Sequence, residues 1–160
     1  MIKVVTQNDF DALRMKAKEV ERKRAHLNVH DSLDANVQRL LIATEPETYI
    51  RPHRHSESHK WEMFMVLAGE IDLLVFDDNG RLISRIKMSQ TATRVVEIPP
   101  NTWHTYVVQQ SGTLAMEVKE GAYTPTPEAD FATWAPAEKT KEAEFFLETL
   151  RVLQPEMSES

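Results

Sequence analysis

Between residues 49 and 119 the chain breaks into short apolar, β-branched and aromatic runs, each ended by a turn signal. The runs cover 49–55, 61–67, 71–76, 81–88, 94–98, 103–109 and 113–119. Between them lie Ala-Gly-Glu at 68–70, Asp-Asp-Asn-Gly at 77–80, Pro-Pro-Asn at 99–101 and Ser-Gly at 111–112. Closely spaced strands with regular turns predict a sandwich or barrel. The 77–80 turn is the strongest hairpin signal.

The flanks read differently. The apolar run 2–5 predicts an edge strand. Thr6 followed by Asp9 resembles a capping box. Phe10, Leu13, Ala17 and Val20 then recur at helical spacing, which predicts a helix over about 7–23. Lys16, Lys18, Arg22, Lys23 and Arg24 occupy its other face, as a solvated surface or as an anion or partner patch. Residues 24–31 read as a polar connector, with His26 and His30 as ordinary histidines. Ser32 or Asp34 can cap a second short helix that turns Val37, Leu40 and Leu41 to the core and ends before Pro46. Beyond Gly121, Pro125, Pro127 and Pro136 keep the chain extended, and Tyr123, Phe131 and Trp134 offer anchors for a strap over the barrel. The stretch 136–153 predicts a helix with Phe145, Phe146, Leu150 and Leu153 along one side, and the last few residues are expected to fray. The organisation expected is one domain: an N-terminal helical segment (1–46), a β-barrel (47–121) and a C-terminal strap and helix (122–160).

Composition narrows the chemistry. There is no cysteine, so thiolate sites and disulfides are excluded and any metal must be held by nitrogen and oxygen. The net charge of −6 argues against a general nucleic-acid binder. No apolar run approaches the roughly 18 residues of a membrane span. The first ten residues lack the apolar stretch of a signal peptide. A cytoplasmic location is the expectation.

Within the β region, His53 and His55 stand two residues apart. On a strand both imidazoles point to one face, about 6.5 Å apart, and can lean onto one ion. Glu62 and His104 are placed to complete a four-ligand set with open positions for water or substrate. Parity agrees. Glu62, Phe64 and Val66 share a face, as do His104, Tyr106 and Val108. Glu57 would lie about 13 Å along the strand from His53, too far to share one ion. His59 is the reserve ligand.

These residues resemble the cupin motifs. The first has His-x-His, a Glu, then six residues and a Gly, met here by His53-Arg54-His55, Glu62 and Gly69. The second, Pro-x-Gly-x-x-His, is met by Pro99 to His104, with Asn101 in the Gly position because Asn tolerates positive φ. The gap from His55 to Glu62 is longer than the usual three or four residues, and Val108 stands where an Asn is usual. The segments 24–30, 49–55, 60–62, 102–105, 117–121 and 134–136 together look like the WbuC-type cupin metalloproteins, some encoded in O-antigen (lipopolysaccharide) clusters. The resemblance implies a mainly β protein, a cupin double-stranded β-helix (jelly-roll barrel) with N-terminal helices and a C-terminal helix. It also implies one bound divalent metal.

Three neutral imidazoles and one carboxylate suit Fe(II), Mn(II), Ni(II) or Zn(II) alike. Arg51, Lys60 and Glu117 are candidate substrate-binding groups, and Tyr106 is the candidate catalytic proton donor. The function expected is a small-molecule metalloenzyme, an isomerase or epimerase or a dioxygenase, acting on a sugar or other oxygen-rich metabolite. The alternative is a non-catalytic metal-dependent binding or sensing module. The partners expected are a sugar-like ligand and a second copy of the chain in a homodimer, with neither nucleic acid nor membrane.

Overall fold

The computed structural model describes residues 1–155; the fraying expected of the last few residues falls largely beyond them. Two antiparallel sheets face each other. The larger runs β1-β2-β8-β3-β6, made of β1 (Arg24–Asn28), β2 (Val37–Thr44), β8 (Thr113–Glu120), β3 (Glu62–Ala68) and β6 (Val95–Ile98). The smaller runs β5-β4-β7, made of β5 (Leu82–Ser89), β4 (Glu70–Phe76) and β7 (Trp103–Val108). Between the sheets lies an apolar interior of Ile42, Phe64, Val66, Ile71, Leu73, Met88, Ile98, Tyr106, Val108 and Ala115. Inward residues alternate with outward ones along each strand, as the two-residue period requires.

Both outer faces also carry a helix. α1 (Gln7–Glu19) begins at the expected capping box: the Asp9 carboxylate accepts from the Thr6 N–H at 2.7 Å and from its hydroxyl at 2.6 Å. Leu13 and Ala17 of α1 pack on Leu41, Ala43 and Leu114, which point outward from β2 and β8. α2 (Lys141–Val152) lays Ala143, Leu147 and Leu150 on Leu74, Phe76 and Val107, on the outer face of the small sheet. Phe145, expected on its apolar side, is exposed, because the buried stripe runs through Ala143, Leu147 and Leu150 instead. No helix of the described residues is long and apolar enough to cross a membrane.

Several expectations are corrected. Residues 24–28 are strand, not connector, and 37–44 are strand, not helix, so the segment 1–46 supplies two strands of the large sheet. Leu40 and Ile42 face the interior while Leu41 and Ala43 face α1, so this strand is apolar on both faces and its period is lost. Among the described residues, 2–5 pair with no strand; Ile2 and Val4 lie exposed. Residues 49–55 form no regular strand either. Pro52 has no N–H to give a ladder, and only His53 makes β-bridges.

Candidate metal centre

His104 enters the interior from the start of β7, on the face that also carries Tyr106 and Val108. The turn before it depends on Asn101, whose φ of 60° is left-handed, and the Asn101 N–H donates to the His55 carbonyl at 2.7 Å. The 52–55 segment is held between β7 and the strap. His53 bridges to His104 on one side and to Phe131 on the other. The Ala132 N–H donates to the Pro52 carbonyl at 2.9 Å, and the Arg54 N–H to the Asp130 carbonyl at 2.9 Å. The Arg54 guanidinium stacks 4.4 Å from the Trp103 ring centre.

His53, His55 and His104 therefore converge. Their ring centres lie 5.3, 4.6 and 5.9 Å apart in pairs, and each ring offers a nitrogen within 4.8 Å of the others'. The tautomers of two rings follow from their partners. His53 Nδ1 lies 3.1 Å from the Arg51 carbonyl and His104 Nδ1 lies 2.8 Å from the Thr102 carbonyl. A carbonyl only accepts, so each Nδ1 carries the hydrogen and each Nε2 keeps its lone pair.

Glu62 opens β3, buried, with Oε2 3.1 Å from His55 Nε2 and 3.9 Å from His104 Nε2. Donors at adjacent corners of an octahedral ion with bonds of about 2.1 Å lie about 3 Å apart, and those at opposite corners about 4.2 Å. Both separations fall in or near that span. The long gap from His55 is taken up by a turn, in which the Lys60 N–H donates to the Glu57 carbonyl at 3.0 Å. The turn carries Glu57 and His59 out to solvent, where they approach each other at 3.8 Å. His59 is thus not brought to the cluster.

Burial, then the neighbouring His104, pulls the His53 imidazole down to about 3, and burial lowers His104 in the same direction against the pull of Glu62. Both rings are neutral near pH 7. For Glu62, burial acts to raise the carboxyl, but the His55 hydrogen bond and the fields of His104 and Lys119 win, and its pKa is lowered. Two neutral rings with lone pairs turned inward beside an ionised carboxylate are the protonation states a divalent cation needs.

A cavity of about 280 Å³ opens from the cluster. Phe64, Leu73 and Ile98 form its apolar wall, and His53, His104 and Glu62 line it as well. Tyr106 borders it, its ring 5.2 Å from Phe64, and burial raises its phenol above the ordinary range. Glu117 and Lys119 face inward from β8 as an ion pair at 2.6 Å. Burial raises the Glu117 carboxyl, and Glu62 pushes it the same way. Arg51 does not reach this cavity. Its guanidinium donates to the Ala132 and Ala135 carbonyls and pairs with Glu128 at 3.0 Å, tying down the strap. Lys60 pairs with Glu57 at 2.6 Å and donates to Thr124 Oγ1 at 2.7 Å, beside a separate small pocket. Arg24 and His26 complete the cavity wall from β1, with Arg22 just before that strand. The signal that marks Arg24 and His26 in the sequence is the alternation Arg24-x-His26-x-Asn28.

Two antiparallel sheets enclosing a His-x-His pair, a strand-borne Glu and a later His after a turn define a cupin fold. Within that class, the chain belongs to the family described as a domain of unknown function, DUF6016, whose model matches residues 5–88. The chain is similar to the structure of KdgF from Halomonas sp., at 14% identity and a TM-score of 0.52 over 66% of this chain and 86% of that one. It is also similar to a variant of oxalate decarboxylase from Bacillus subtilis, at 14% identity and a TM-score of 0.51 over 69% of this chain; there it spans only 28% of the other protein. At such identities the likeness is one of fold. Comparison with curated proteins finds no match.

Proposed function

We propose that this protein is a metal-dependent cupin in which His53, His55, His104 and Glu62 hold one divalent cation, iron, manganese, nickel or zinc, and present it to a small oxygen-rich ligand. The observation that carries the reading is the convergence of the three imidazoles within 4.8 Å, with the Nε2 lone pairs of His53 and His104 left free by backbone carbonyls. When bound, the cation supplies Lewis-acid polarisation of a ligand oxygen.

The remaining chemistry belongs to side chains around the cavity. Phe64, Leu73 and Ile98 exclude water on one side. Tyr106, held protonated by burial, is a hydrogen-bond donor to the ligand. Glu117, raised by burial and by Glu62 and held at 2.6 Å by Lys119, is the cavity carboxyl placed to exchange a proton with the ligand. This set favours an enzyme of the isomerase or epimerase kind on a sugar-like metabolite. The WbuC-like motifs are the ground for linking it to lipopolysaccharide biosynthesis in the cytoplasm, and cupin analogy is the ground for a homodimer.

Elemental analysis of untagged protein beside His104→Ala tests the reading. One divalent ion per chain, lost in the variant, is expected. A wild-type chain that takes up no ion, even after reconstitution, ends it.

A further inference from the structure

The cavity carries a charge that the whole chain does not. The chain is net −6. Yet the charged side chains that line the cavity are Arg22, Arg24 and Lys119 against Glu62 and Glu117. A divalent ion would add two further positive charges.

The cations are gathered at one side. Arg22, Arg24 and His26 line both the cavity and an adjoining surface depression that also holds Lys16, Lys139 and Glu21, with Lys139 paired to Glu21 at 2.8 Å, so this wall leads outward to solvent. Glu138 offsets part of this charge: it accepts from Arg22 at 2.9 Å and from Arg24 at 2.7 Å. Arg24 also donates to the Tyr49 carbonyl at 2.8 Å, which fixes its guanidinium in place. Glu117 neutralises Lys119 in the same way. The His26 imidazole makes no hydrogen bond among the described residues, and His26 pairs on β2 with Ile42, whose side chain lines the cavity. Partial desolvation and then the fields of Lys16, Arg22, Lys119 and Arg24 hold its imidazole below the usual pKa, in keeping with the cations gathered at this wall.

We infer that the ligand of this cavity is an anion, a small polyhydroxylated molecule with a carboxylate or a phosphate group that docks at the Arg24–His26 wall while its hydroxyl oxygens face the histidine cluster. The inference rests on the proposed metal reading for the second half of that pose only. Arg24 holds the anion through charge-assisted hydrogen bonds, and His26 is the unpartnered donor beside it. Glu138 and the Tyr49 carbonyl answer Arg24 in part, and a neutral sugar of the same shape leaves the remaining charge and the His26 ring without a partner.

Calorimetric titration of the Mn(II)-loaded full chain with glucitol, gluconate and a glucitol monophosphate tests it. At least one charged probe is expected to bind about tenfold or more tightly than glucitol, and which one does so separates a carboxylate from a phosphate ligand. His26→Glu, at an exposed and unpartnered position, is expected to abolish the preference, while Arg24→Lys keeps it and both retain Mn(II). If Mn(II) binds but neither charged probe outdoes glucitol, the anion site is overturned and the metal reading stands. If Mn(II) does not bind, the metal reading fails, and the same titrations on the metal-free chain decide the anion site. A charge preference removed by His26→Glu upholds it; no preference overturns it.

Discussion

His53 and His104 are each other's backbone partners. The His53 N–H donates to the His104 carbonyl at 3.0 Å, and the His104 N–H returns a bond to the His53 carbonyl at 2.9 Å. Directly opposed residues of an antiparallel pair project their side chains to the same face. The two rings, 4.6 Å apart, are therefore set by main-chain pairing and not by loop conformation. A site built on paired backbone holds its geometry without a ligand, which suits metal uptake by the folded chain.

Ligand assignment can be checked residue by residue. Glu62→Gln and His53→Ala are each expected to lower metal affinity by about tenfold to a hundredfold or more. His59→Gln and Glu57→Gln, in the exposed turn, leave it unchanged. Competition with a chelator of known affinity reads the difference. An effect of His59→Gln as large as that of Glu62→Gln would show that the turn refolds to supply His59 in place of the carboxylate.

Parity made the arrangement of the candidate site legible in the sequence. Glu62, Phe64 and Val66 do share the inner face, as do His104 and Tyr106, because the two-residue period of a strand leaves no choice once one member is placed. Asn101 takes the left-handed φ that its place in the motif requires. The outer strands were hidden for physical reasons. Leu40 and Leu41 stand side by side because β2 packs on both faces, and with Val37, which is exposed at the strand's start, they imitate helical spacing. β1 alternates polar and apolar residues, but it is an edge strand of five residues with only Ala25 buried, so its apolar side is too short to stand out. That hid the cavity wall of Arg24 and His26, since a side chain on an unrecognised strand has no predicted direction.

Gly69 fixes the corner between β3 and β4. Its φ is +81°, and a Cβ there would fall 2.2 Å from Thr113 Oγ1 and 2.8 Å from Thr113 Cα. The Thr113 hydroxyl cannot swing away freely, because it donates to the Gln110 carbonyl at 2.7 Å. Gly69→Ala is expected to cost about 3 kcal/mol in urea unfolding. A cost under about 1 kcal/mol would mean that the corner is soft.

Acid should weaken the metal-free chain in two stages. The His53 ring titrates near 6.5 when unfolded but is lowered to about 3 when folded. Between those values the unfolded chain binds a proton that the folded one refuses, so stability is complete above about 6.5 and falls as pH falls toward 3. Glu62, lowered from 4.5, adds a second loss that begins only as pH drops below that value. Thermal midpoints of the metal-free chain should decline from about pH 6.5 downward. In His53→Asn the decline between pH 6.5 and 4.5 should be clearly shallower. An unchanged slope there would assign the loss to other groups.

The last prediction separates the scaffold from the site. Arg85, on β5, donates to Asp72 at 2.8 Å and to the carbonyls of Leu150, Arg151 and Leu153 at 2.7 to 2.9 Å. It thus closes the C-terminal end of α2, where carbonyls have no helical partners. The Asp72 carboxylate beneath it is buried and shares Oδ2 with Gln109 at 3.0 Å. Arg85→Met leaves that carboxylate without its counter-charge and frees the helix end, at an expected cost of about 3–5 kcal/mol. Because Asp72, Leu74 and Phe76 face α2 while Ile71 and Leu73 face the interior, the damage falls on the outer side of the small sheet. Below its lowered melting temperature, Arg85→Met should bind metal as tightly as the wild type, while hydrogen exchange over 141–152 becomes faster. Loss of metal affinity in step with the loss of stability would show instead that α2 holds β7, and with it His104, in place.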